Sequence, residues 1–271
     1  MQNTSEEIVL ELYQFELSHY CEKVRLILDY KGLEYRKIEI IPGVGQLEIF
    51  RLSGQRQVPV LKDGETIIAD STEIAFYLDR KYPEKPIIPT EPLARGECLL
   101  IEEWADESLG LKGRKALLGA FKQSQSLRNA ILPENVPDFL KNLLNNVPNQ
   151  FLDLLGTGVG FGAEGIKEAN RGLKQDLEAL SLILEHRPYL VGDQITLADL
   201  AVAGLSIYLK FPAGPYLATP EDLKGKGIPG LADNSTYDPF FRWRDRLYTT
   251  YRRPLSGNSP PDSAPTAIAI D

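Results

Sequence analysis

The sequence predicts two domains, a mixed α/β domain followed by an all-helical one. Over about the first 90 residues, short alternating segments that suit strands are interleaved with helical periodicity. From about Leu93 to Tyr251 the periodicity is helical throughout. The Pro-rich segment from Pro83 to Pro92 separates the two patterns and is the natural linker. We therefore assign residues 1–84 and 93–255 to the two domains, and predict a disordered tail over the small, Pro-rich residues 256–271.

The α/β domain begins with a strand, a helix and a second strand. Residues 9–15 carry strand-forming side chains, and an apolar face with helical spacing follows from Ser18. Gly32 supplies a left-handed stop for that helix, and residues 35–41 alternate again. This order predicts a right-handed βαβ unit with parallel strands.

The next segment predicts a hairpin and a capped helix. Asp63-Gly64 lies between two apolar runs, which indicates antiparallel strands joined by a tight turn. Pro59 has no N–H for a ladder and must stand at a strand start or an edge. Asp70-Ser71-Thr72 then caps a helix that ends before Tyr82-Pro83.

Composition excludes several classes of protein. The 271 residues carry a net charge of -8, two cysteines (Cys21, Cys98) and two histidines (His19, His186). So few cysteines and histidines exclude a disulfide framework and a Cys/His zinc cluster, and no metal is expected. Excess negative charge disfavours nucleic-acid binding. With no signal-peptide pattern and no apolar run long enough to span a bilayer, we expect a cytoplasmic protein.

Ser18 and Cys21 lie at the junction between the first predicted strand and the first predicted helix. A helix N-terminus presents free N–H groups and about half a positive charge, which stabilises a thiolate. Ser18 is either an ordinary N-cap or a hydroxyl that donates to a sulfur anion brought by a ligand. Cys21 is either a redox thiol or a small core residue. The motif alone leaves both questions open.

Five motifs in order resemble the cytosolic glutathione transferase superfamily over about residues 8 to 250. They are Ser18-x-x-Cys21-x-Lys23-Val24-Arg25, Gly54 to Leu61, Asp70-Ser71, Tyr77-Leu78 with Tyr82-Pro83, and Leu190 to Asp193 with Thr196 to Asp199. The helical half is also similar to the type-2 prostaglandin E synthase branch, through Glu103 to Asp106. The resemblance implies a thioredoxin-like α/β N-terminal domain and an all-α C-terminal domain.

The resemblance also implies roles for particular residues. Ser18 takes the place of the activating hydroxyl of serine-type enzymes. Val58-Pro59 would be a cis peptide whose Val58 backbone pairs with the cysteinyl backbone of glutathione. Asp70 and Ser71 would meet the γ-glutamyl end, and Arg56 or Gln57 would hold the glycyl carboxylate. An acceptor pocket would be lined by the aromatic residues Tyr20, Trp104 and Tyr208.

The implied reaction is attack of the glutathione thiolate on a small hydrophobic electrophile. Glutathione would be the co-substrate, with no further cofactor, and the protein would be a homodimer. Two alternatives stay open. One is a thiol transferase or isomerase that uses Cys21, including a prostaglandin-synthase-like activity. The other is a non-catalytic ligand-binding or interaction module on the same fold.

Three further features have structural interpretations. Gly160 to Gly165 matches the dinucleotide fingerprint but lacks a preceding strand, so we predict a loop entering a helix over 166–185. Thr196 and Asp199 have capping-box spacing. His186 is expected at a helix end, and His19 either faces the ligand or is exposed in the first helical turn.

Overall fold

A computed structural model of the chain describes residues 9–41, 45–123 and 162–255. The first domain contains β1 (Leu10–Gln14), α1 (His19–Lys31), β2 (Tyr35–Glu39), α2 (Gln46–Ser53), β3 (Val60–Asp63), β4 (Thr66–Ala69) and α3 (Ser71–Lys81). The helical domain contains α4 (Pro92–Trp104), a π-helix (Ala105–Gly110), α5 (Leu111–Gln123), α6 (Ala163–His186), α7 (Leu197–Leu205) and α8 (Asp238–Tyr251). The predicted α/β domain followed by a helical domain is confirmed.

The four strands form one mixed sheet in the order β2-β1-β3-β4. β1 and β2 are parallel, with Leu10 opposite Tyr35, which confirms the βαβ unit. β3 runs antiparallel to both β1 and β4, which confirms the hairpin. Gly64 turns that hairpin with a φ of 59°, a conformation that side chains disfavour.

Helix α1 is buried on nearly every side. Ser18 caps its start, and Gly32 ends it with a φ of 75°. The sheet lies on one side, and α7 of the helical domain packs closely against the other. A Cβ on Gly204 of α7 would lie 2.6 Å from the Lys23 Cα, so only glycine allows this approach. The two domains therefore share α1 as a common core element.

Buried ion pairs also hold α1 to the end of α8. Arg252 contacts Glu22 at 2.9 Å and Asp29 at 2.7 Å, and all three side chains are almost fully buried. Arg25 contacts Glu22 at 2.6 Å from within the same helix. Because each charge has a close partner, the network is tolerated in the interior.

Sequence periodicity did not predict α2. Ile49 is the buried residue of this short helix, and it packs with Ile40 and Val60 in a small second core. Leu47 and Phe50 are apolar but exposed. The apolar residues of α2 therefore do not all lie on its buried face. Hydrophobic periodicity does not predict such a helix.

Helix α7 lies at the centre of the helical domain, with every residue buried. Thr196 and Asp199 form the predicted capping box at its start. The Asp199 carboxylate also accepts a hydrogen bond from the Leu190 N–H at 2.8 Å. The cap therefore anchors the preceding turn as well as the helix.

The prediction of continuous helix up to Tyr251 is wrong between Leu209 and Tyr237. There the chain is irregular, with two short 3-10 helices and one isolated bridge between Lys210 and Gly227. Closely spaced prolines at 212, 215 and 220 exclude a helix across this segment. A Cβ on Gly227 would lie 2.0 Å from the Leu209 carbonyl oxygen, so the bridge requires glycine.

Several predicted features lie partly or wholly outside the described residues. These are the tail 256–271 and most of the Pro/Gly-interrupted region 133–162. Gly162 is described, and it is the N-cap residue of α6, as expected for a loop entering a helix. Among the helices within the described ranges, none combines the length and apolarity needed to cross a membrane.

Candidate active site

Three chain segments meet at one end of the sheet. Ser18 follows the C-terminal end of β1, and Val58-Pro59 directly precedes β3. Asp70-Ser71 follows the C-terminal end of β4. Since β3 is antiparallel to β1 and β4, its start lies beside the ends of the other two strands. The topology therefore brings together residues that lie between 11 and 53 positions apart in the sequence.

Ser18 combines the capping role with the geometry needed for chemistry. Its Oγ accepts a hydrogen bond from the Cys21 N–H at 3.3 Å. A hydroxyl that accepts from the helix still has its own proton to donate. The side chain is half-buried at the positive end of the α1 dipole. Ser18 can therefore cap α1 and donate to an anion at the same time.

Cys21 is fully buried, with no exposed surface. Burial raises the pKa of its thiol to about 11, despite the opposing effect of Arg25. At neutral pH the group is a thiol, and the thiolate is the reactive form. The redox hypothesis for Cys21 required a thiol that a ligand can reach, and this structure does not provide it.

The Val58-Pro59 peptide bond is cis, as the resemblance implied. Pro59 is buried at the start of β3, and Val58 is half-buried. Arg56 and Gln57 precede it on an exposed loop. The Arg56 guanidinium lies 5.6 Å from the centre of the Phe50 ring, a weak cation–π contact at an exposed site.

Asp70 starts α3 in a strained conformation. Its φ of 76° lies in a region that non-glycine residues rarely adopt. The carboxylate accepts hydrogen bonds from the N–H groups of Thr72 (2.9 Å) and Glu73 (3.2 Å). Such strain persists where surrounding contacts enforce it, and it concentrates at functional sites.

Ser71 lies over a buried polar cluster that sequence analysis did not identify. Lys23 Nζ contacts Glu102 at 2.5 Å, Asp106 at 2.7 Å and the Thr72 hydroxyl at 3.1 Å. The Ser71 hydroxyl lies 3.3 Å from Asp106 Oδ2. The cluster therefore joins α1, α3 and the helical domain directly behind the start of α3.

The charge of this cluster is not balanced. One ammonium group faces two carboxylates, and Asp106 Oδ1 is buried without a hydrogen bond to any residue that the structure describes. Burial raises the pKa of Asp106, the Lys23 ammonium opposes this effect, and the Glu102 carboxylate reinforces it. A buried polar atom without a partner is unusual. The cluster is thus suited to accept a further cationic hydrogen-bond donor.

An aromatic wall stands beside Ser18, formed by His19, Tyr20 and Tyr208. The His19 ring lies 4.2 Å from the Tyr20 ring and 4.6 Å from the Tyr208 ring, centre to centre. Tyr208 donates to the Leu17 carbonyl at 2.7 Å, and Tyr20 donates to the Asp106 carbonyl at 3.1 Å. The wall therefore ties the β1–α1 turn to the helical domain.

His19 is not exposed, so one of its two predicted placements is wrong. Only 3% of the residue is accessible, and neither ring nitrogen has a hydrogen-bond partner in the described structure. Burial, reinforced by the nearby Arg114 charge, lowers the pKa of His19 to about 3. The imidazole is therefore neutral at physiological pH.

Trp104 does not belong to this wall. It lies two residues from both Glu102 and Asp106, which face Lys23, and so it points to the opposite side of the helix. The Trp104 side chain packs against the main core, as do those of Tyr20 and Tyr208. Its assignment to an acceptor pocket stays a prediction, and Tyr20 and Tyr208 lie together in the aromatic wall.

The architecture and this end of the sheet together define the glutathione transferase class of proteins. A family profile of the glutathione S-transferase N-terminal domain matches residues 12–86, and one of the C-terminal domain matches residues 163–246. The chain belongs to the cytosolic glutathione S-transferase superfamily. Members of this superfamily use glutathione as substrate or ligand, and membership supports a glutathione-binding transferase function.

Curated relatives include glutathione S-transferases and a stringent starvation protein A homolog. Glutathione S-transferase 1 of Dianthus caryophyllus is 29% identical over 206 residues, covering 74% of this chain and 77% of its own. A stringent starvation protein A homolog of Pasteurella multocida is 28% identical over 174 residues, covering 59% and 81%. A zeta-class enzyme of Euphorbia esula is 38% identical over 85 residues, covering 30% and 38%.

Solved structures share the fold at low sequence identity. A beta-etherase of a Sphingobium species has a TM-score of 0.65 at 22% identity, covering 89% of this chain and 95% of its own. A theta-class glutathione S-transferase of Xanthomonas axonopodis pv. citri, with glutathione bound, has a TM-score of 0.58 at 18% identity, covering 89% and 92%. These likenesses establish the fold alone.

Proposed function

We propose that the protein is a glutathione transferase that activates the thiol of glutathione for attack on small electrophiles, with Ser18 as the catalytic residue. The observation that carries this proposal is the convergence of Ser18, the Val58-Pro59 cis peptide and Ser71 at one end of the sheet. A tripeptide thiol needs a hydroxyl at its sulfur, a backbone strip for its middle residue and an anion site for its terminal carboxylate. These three segments offer those features in that order.

The γ-glutamyl end would bind over the start of α3. The first N–H groups of a helix form a ready anion site, and Ser71 would hold the carboxylate there. Asp106 would accept the α-ammonium group through its unpartnered Oδ1. That contact would neutralise the excess negative charge behind Ser71. Asp70 shapes this turn, and Arg56 or Gln57 would hold the glycyl carboxylate from the exposed loop.

Ser18 would favour the thiolate over the thiol. A free thiol of this kind has a pKa of about 8.5, so only a few per cent of it is ionised at pH 7. A hydrogen bond to a charged group contributes about 1.5–3 kcal/mol, equivalent to lowering the pKa by ~1–2 units. The proton leaves to water, the sulfur forms a bond to the electrophilic carbon, and the leaving group departs with its electron pair.

One experiment distinguishes the proposed transferase from a non-catalytic ligand-binding module. Isothermal titration calorimetry with glutathione and conjugation of 1-chloro-2,4-dinitrobenzene are measured for wild type, Ser18→Ala and Ser53→Ala. Ser53 is a matched control, since its hydroxyl bonds the Ile49 carbonyl within α2. We expect Ser18→Ala to bind glutathione but to conjugate at least ten-fold more slowly. Binding without turnover in wild type would indicate a non-catalytic module, and absence of binding would refute the proposal.

We also propose that two copies of the chain associate and that the protein acts in the cytoplasm. The support for association is an apolar strip on α4 and α6, defined by Leu93, Leu100, Leu182 and Ile183. Leu93 and Leu100 are 70% and 72% exposed. A strip of this kind on a folded domain favours contact with a protein partner, and the simplest partner is a second copy.

A further inference from the structure

A cavity in the helical domain is lined by residues other than those of the proposed glutathione site. It has a volume of about 460 Å³ and lies between α5, α6 and the loop 228–231. Volumes of ~300–1,000 Å³ are typical of sites that bind small molecules. The side chains that decide its character are Ala120 of α5, Ile166, Asn170 and Lys174 of α6, and Ile228 and Leu231 of the loop.

The inner walls of this cavity are apolar and held in place. Ile228 and Leu231 are buried, and Ile166 is half-buried. Helices α5 and α6 approach closely here, because a Cβ on Gly119 would overlap the Ile166 side chain. The loop is fixed by hydrogen bonds from the Ile228 N–H to the Leu209 carbonyl (2.9 Å) and from the Leu231 N–H to the Ile228 carbonyl (3.1 Å). The walls are therefore preformed, and an apolar group of a ligand would be stabilised between them by leaving water.

The mouth of the cavity carries a positive charge. Lys174 and Gly230 are exposed, so the cavity is open to solvent on this side. The Lys174 ammonium group forms no hydrogen bond or ion pair with any residue that the structure describes. No acidic side chain is found among the described residues that line the cavity. Farther along the loop, the Asp233 carboxylate accepts a hydrogen bond from the Gly230 N–H at 2.6 Å. The charge that a ligand meets on entering is therefore that of Lys174.

Asn170 supplies a second donor beside Lys174. The two residues are four positions apart on α6, so they lie on the same face of the helix, and both line the cavity. The Asn170 Nδ2 group donates to the Ile166 carbonyl at 2.9 Å. A side-chain amide carries two N–H bonds, and the second has no partner among the described residues. Two donors and an apolar interior match a ligand with a carboxylate, which only accepts hydrogen bonds, at one end of an apolar chain.

We propose that this cavity binds an amphipathic carboxylate, a medium-chain aliphatic acid in its ionised form. The carboxylate accepts hydrogen bonds from Lys174 and Asn170 at the mouth. The chain lies along Ile166, Ile228 and Leu231. The site is separate from the proposed glutathione site, so the proposal does not rest on the transferase function.

The test is calorimetry of the full chain with octanoate and with 1-octanol, which has the same chain length and no charge. We expect Lys174→Gln to weaken octanoate binding about five-fold, the effect of an ion pair near solvent, and to leave 1-octanol binding unchanged. Lys167→Gln is the matched control, because Lys167 is exposed on the same face of α6 but does not line this cavity. It lies about 10 Å along the helix from Lys174, so salt screens its charge and binding should change less than about two-fold.

A second variant tests the apolar part of the cavity. Ala120 is half-buried in its wall, so Ala120→Phe fills the cavity without changing any charge, and it should abolish binding of both probes. Circular dichroism shows whether each variant is folded. The proposal is overturned if wild type does not bind octanoate, or if a folded Ala120→Phe variant binds it as wild type does. It is also overturned if Lys174→Gln and Lys167→Gln weaken octanoate equally, or if Lys174→Gln weakens 1-octanol as much as octanoate.

Discussion

Lys23 Nζ lies 2.7 Å from Asp106 Oδ2, although 83 residues separate the two in the chain. The pair joins the first helix of the α/β domain to the π-helix of the helical domain. π-helical turns inside α-helices frequently mark functional sites. Here the π-helix positions the Asp106 side chain behind Ser71. The Asp106 carbonyl, in turn, accepts a hydrogen bond from the Tyr20 hydroxyl. The π-helix therefore contacts both the proposed glutathione side and the proposed acceptor side of the site.

Lys23→Met should be strongly destabilising. The change leaves the buried carboxylates of Glu102 and Asp106 without a cation, and breaking a buried pair in this way costs about 3–5 kcal/mol. Urea denaturation gives the free energy of unfolding. Lys62→Met is the control, since Lys62 and Glu11 form a partly exposed pair whose loss costs about 1 kcal/mol or less. Equal losses in the two variants would show that the buried cluster contributes no more than a surface pair.

Replacing Asp70 should separate backbone strain from helix capping. A φ of 76° costs an aspartate about 1–3 kcal/mol, and glycine removes this cost. Losing the cap to glycine costs only a few tenths, about 0.3 kcal/mol, whereas losing it to alanine costs about 1 kcal/mol. We expect Asp70→Gly to unfold with a free energy near or above that of wild type, and Asp70→Ala about 1–2 kcal/mol below it. Identical values for the two variants in urea denaturation would contradict the strain argument.

His19 should make the protein less stable in mild acid. Its pKa is about 3 when folded, against about 6.5 in an unfolded chain. The unfolded chain therefore binds a proton between pH 6.5 and 3 that the folded chain does not, so stability is lost as the pH falls through that range. At pH 5 the loss from this group is about 2 kcal/mol.

The pH effect is measured by urea denaturation at pH 7.5 and pH 5. His19→Phe should remove the His19 contribution, so that its stability changes less between the two pH values than that of wild type. His186→Gln is the matched replacement of the other histidine, which lies at the exposed end of α6. A His19→Phe profile parallel to wild type would show that His19 is protonated equally in both states.

Cys21 should be unreactive in the native protein. Both Cys21 and Cys98 are buried, and burial raises the pKa of each thiol. We expect no labelling by 5,5′-dithiobis(2-nitrobenzoate) before denaturation and full labelling afterwards, with Cys98→Ala used to assign any signal. Cys21→Ala should retain conjugation within about two-fold, since the proposed site uses a hydroxyl and not this thiol. Rapid native labelling of Cys21 would restore the thiol-transferase hypothesis.

The apolar strip on α4 and α6 should control association. Leu100→Lys and Leu182→Lys place charges on that strip, and burying an unpaired charge in an interface is strongly unfavourable. Sedimentation equilibrium should then show a shift from dimer to monomer. Leu47→Lys is the control, because Leu47 is 59% exposed on α2 of the other domain. A wild-type monomer, or dissociation by Leu47→Lys as well, would contradict the assignment.

Local sequence signals predicted most elements of the α/β domain and the caps of its helices. Ser18, Gly32, Gly64 and the Thr196–Asp199 pair act on neighbouring backbone groups, so their effects can be deduced from adjacent residues. Helix α2 was missed because its exposed apolar residues hide its buried face. The irregular segment between Leu209 and Tyr237 was also missed, although its prolines and glycines indicate that a helix cannot continue there.

The sequence by itself determined the order of elements, the helix starts that carry Ser18 and Ser71, and the family those motifs resemble. Only the tertiary structure decided that Cys21 is inaccessible, that His19 is buried with no hydrogen-bond partner among the described residues, and that Lys23 contacts Glu102 and Asp106. The physical reason is the range of the interactions. A cap or turn depends on groups a few residues apart, whereas burial and ion pairing depend on segments that only folding brings together.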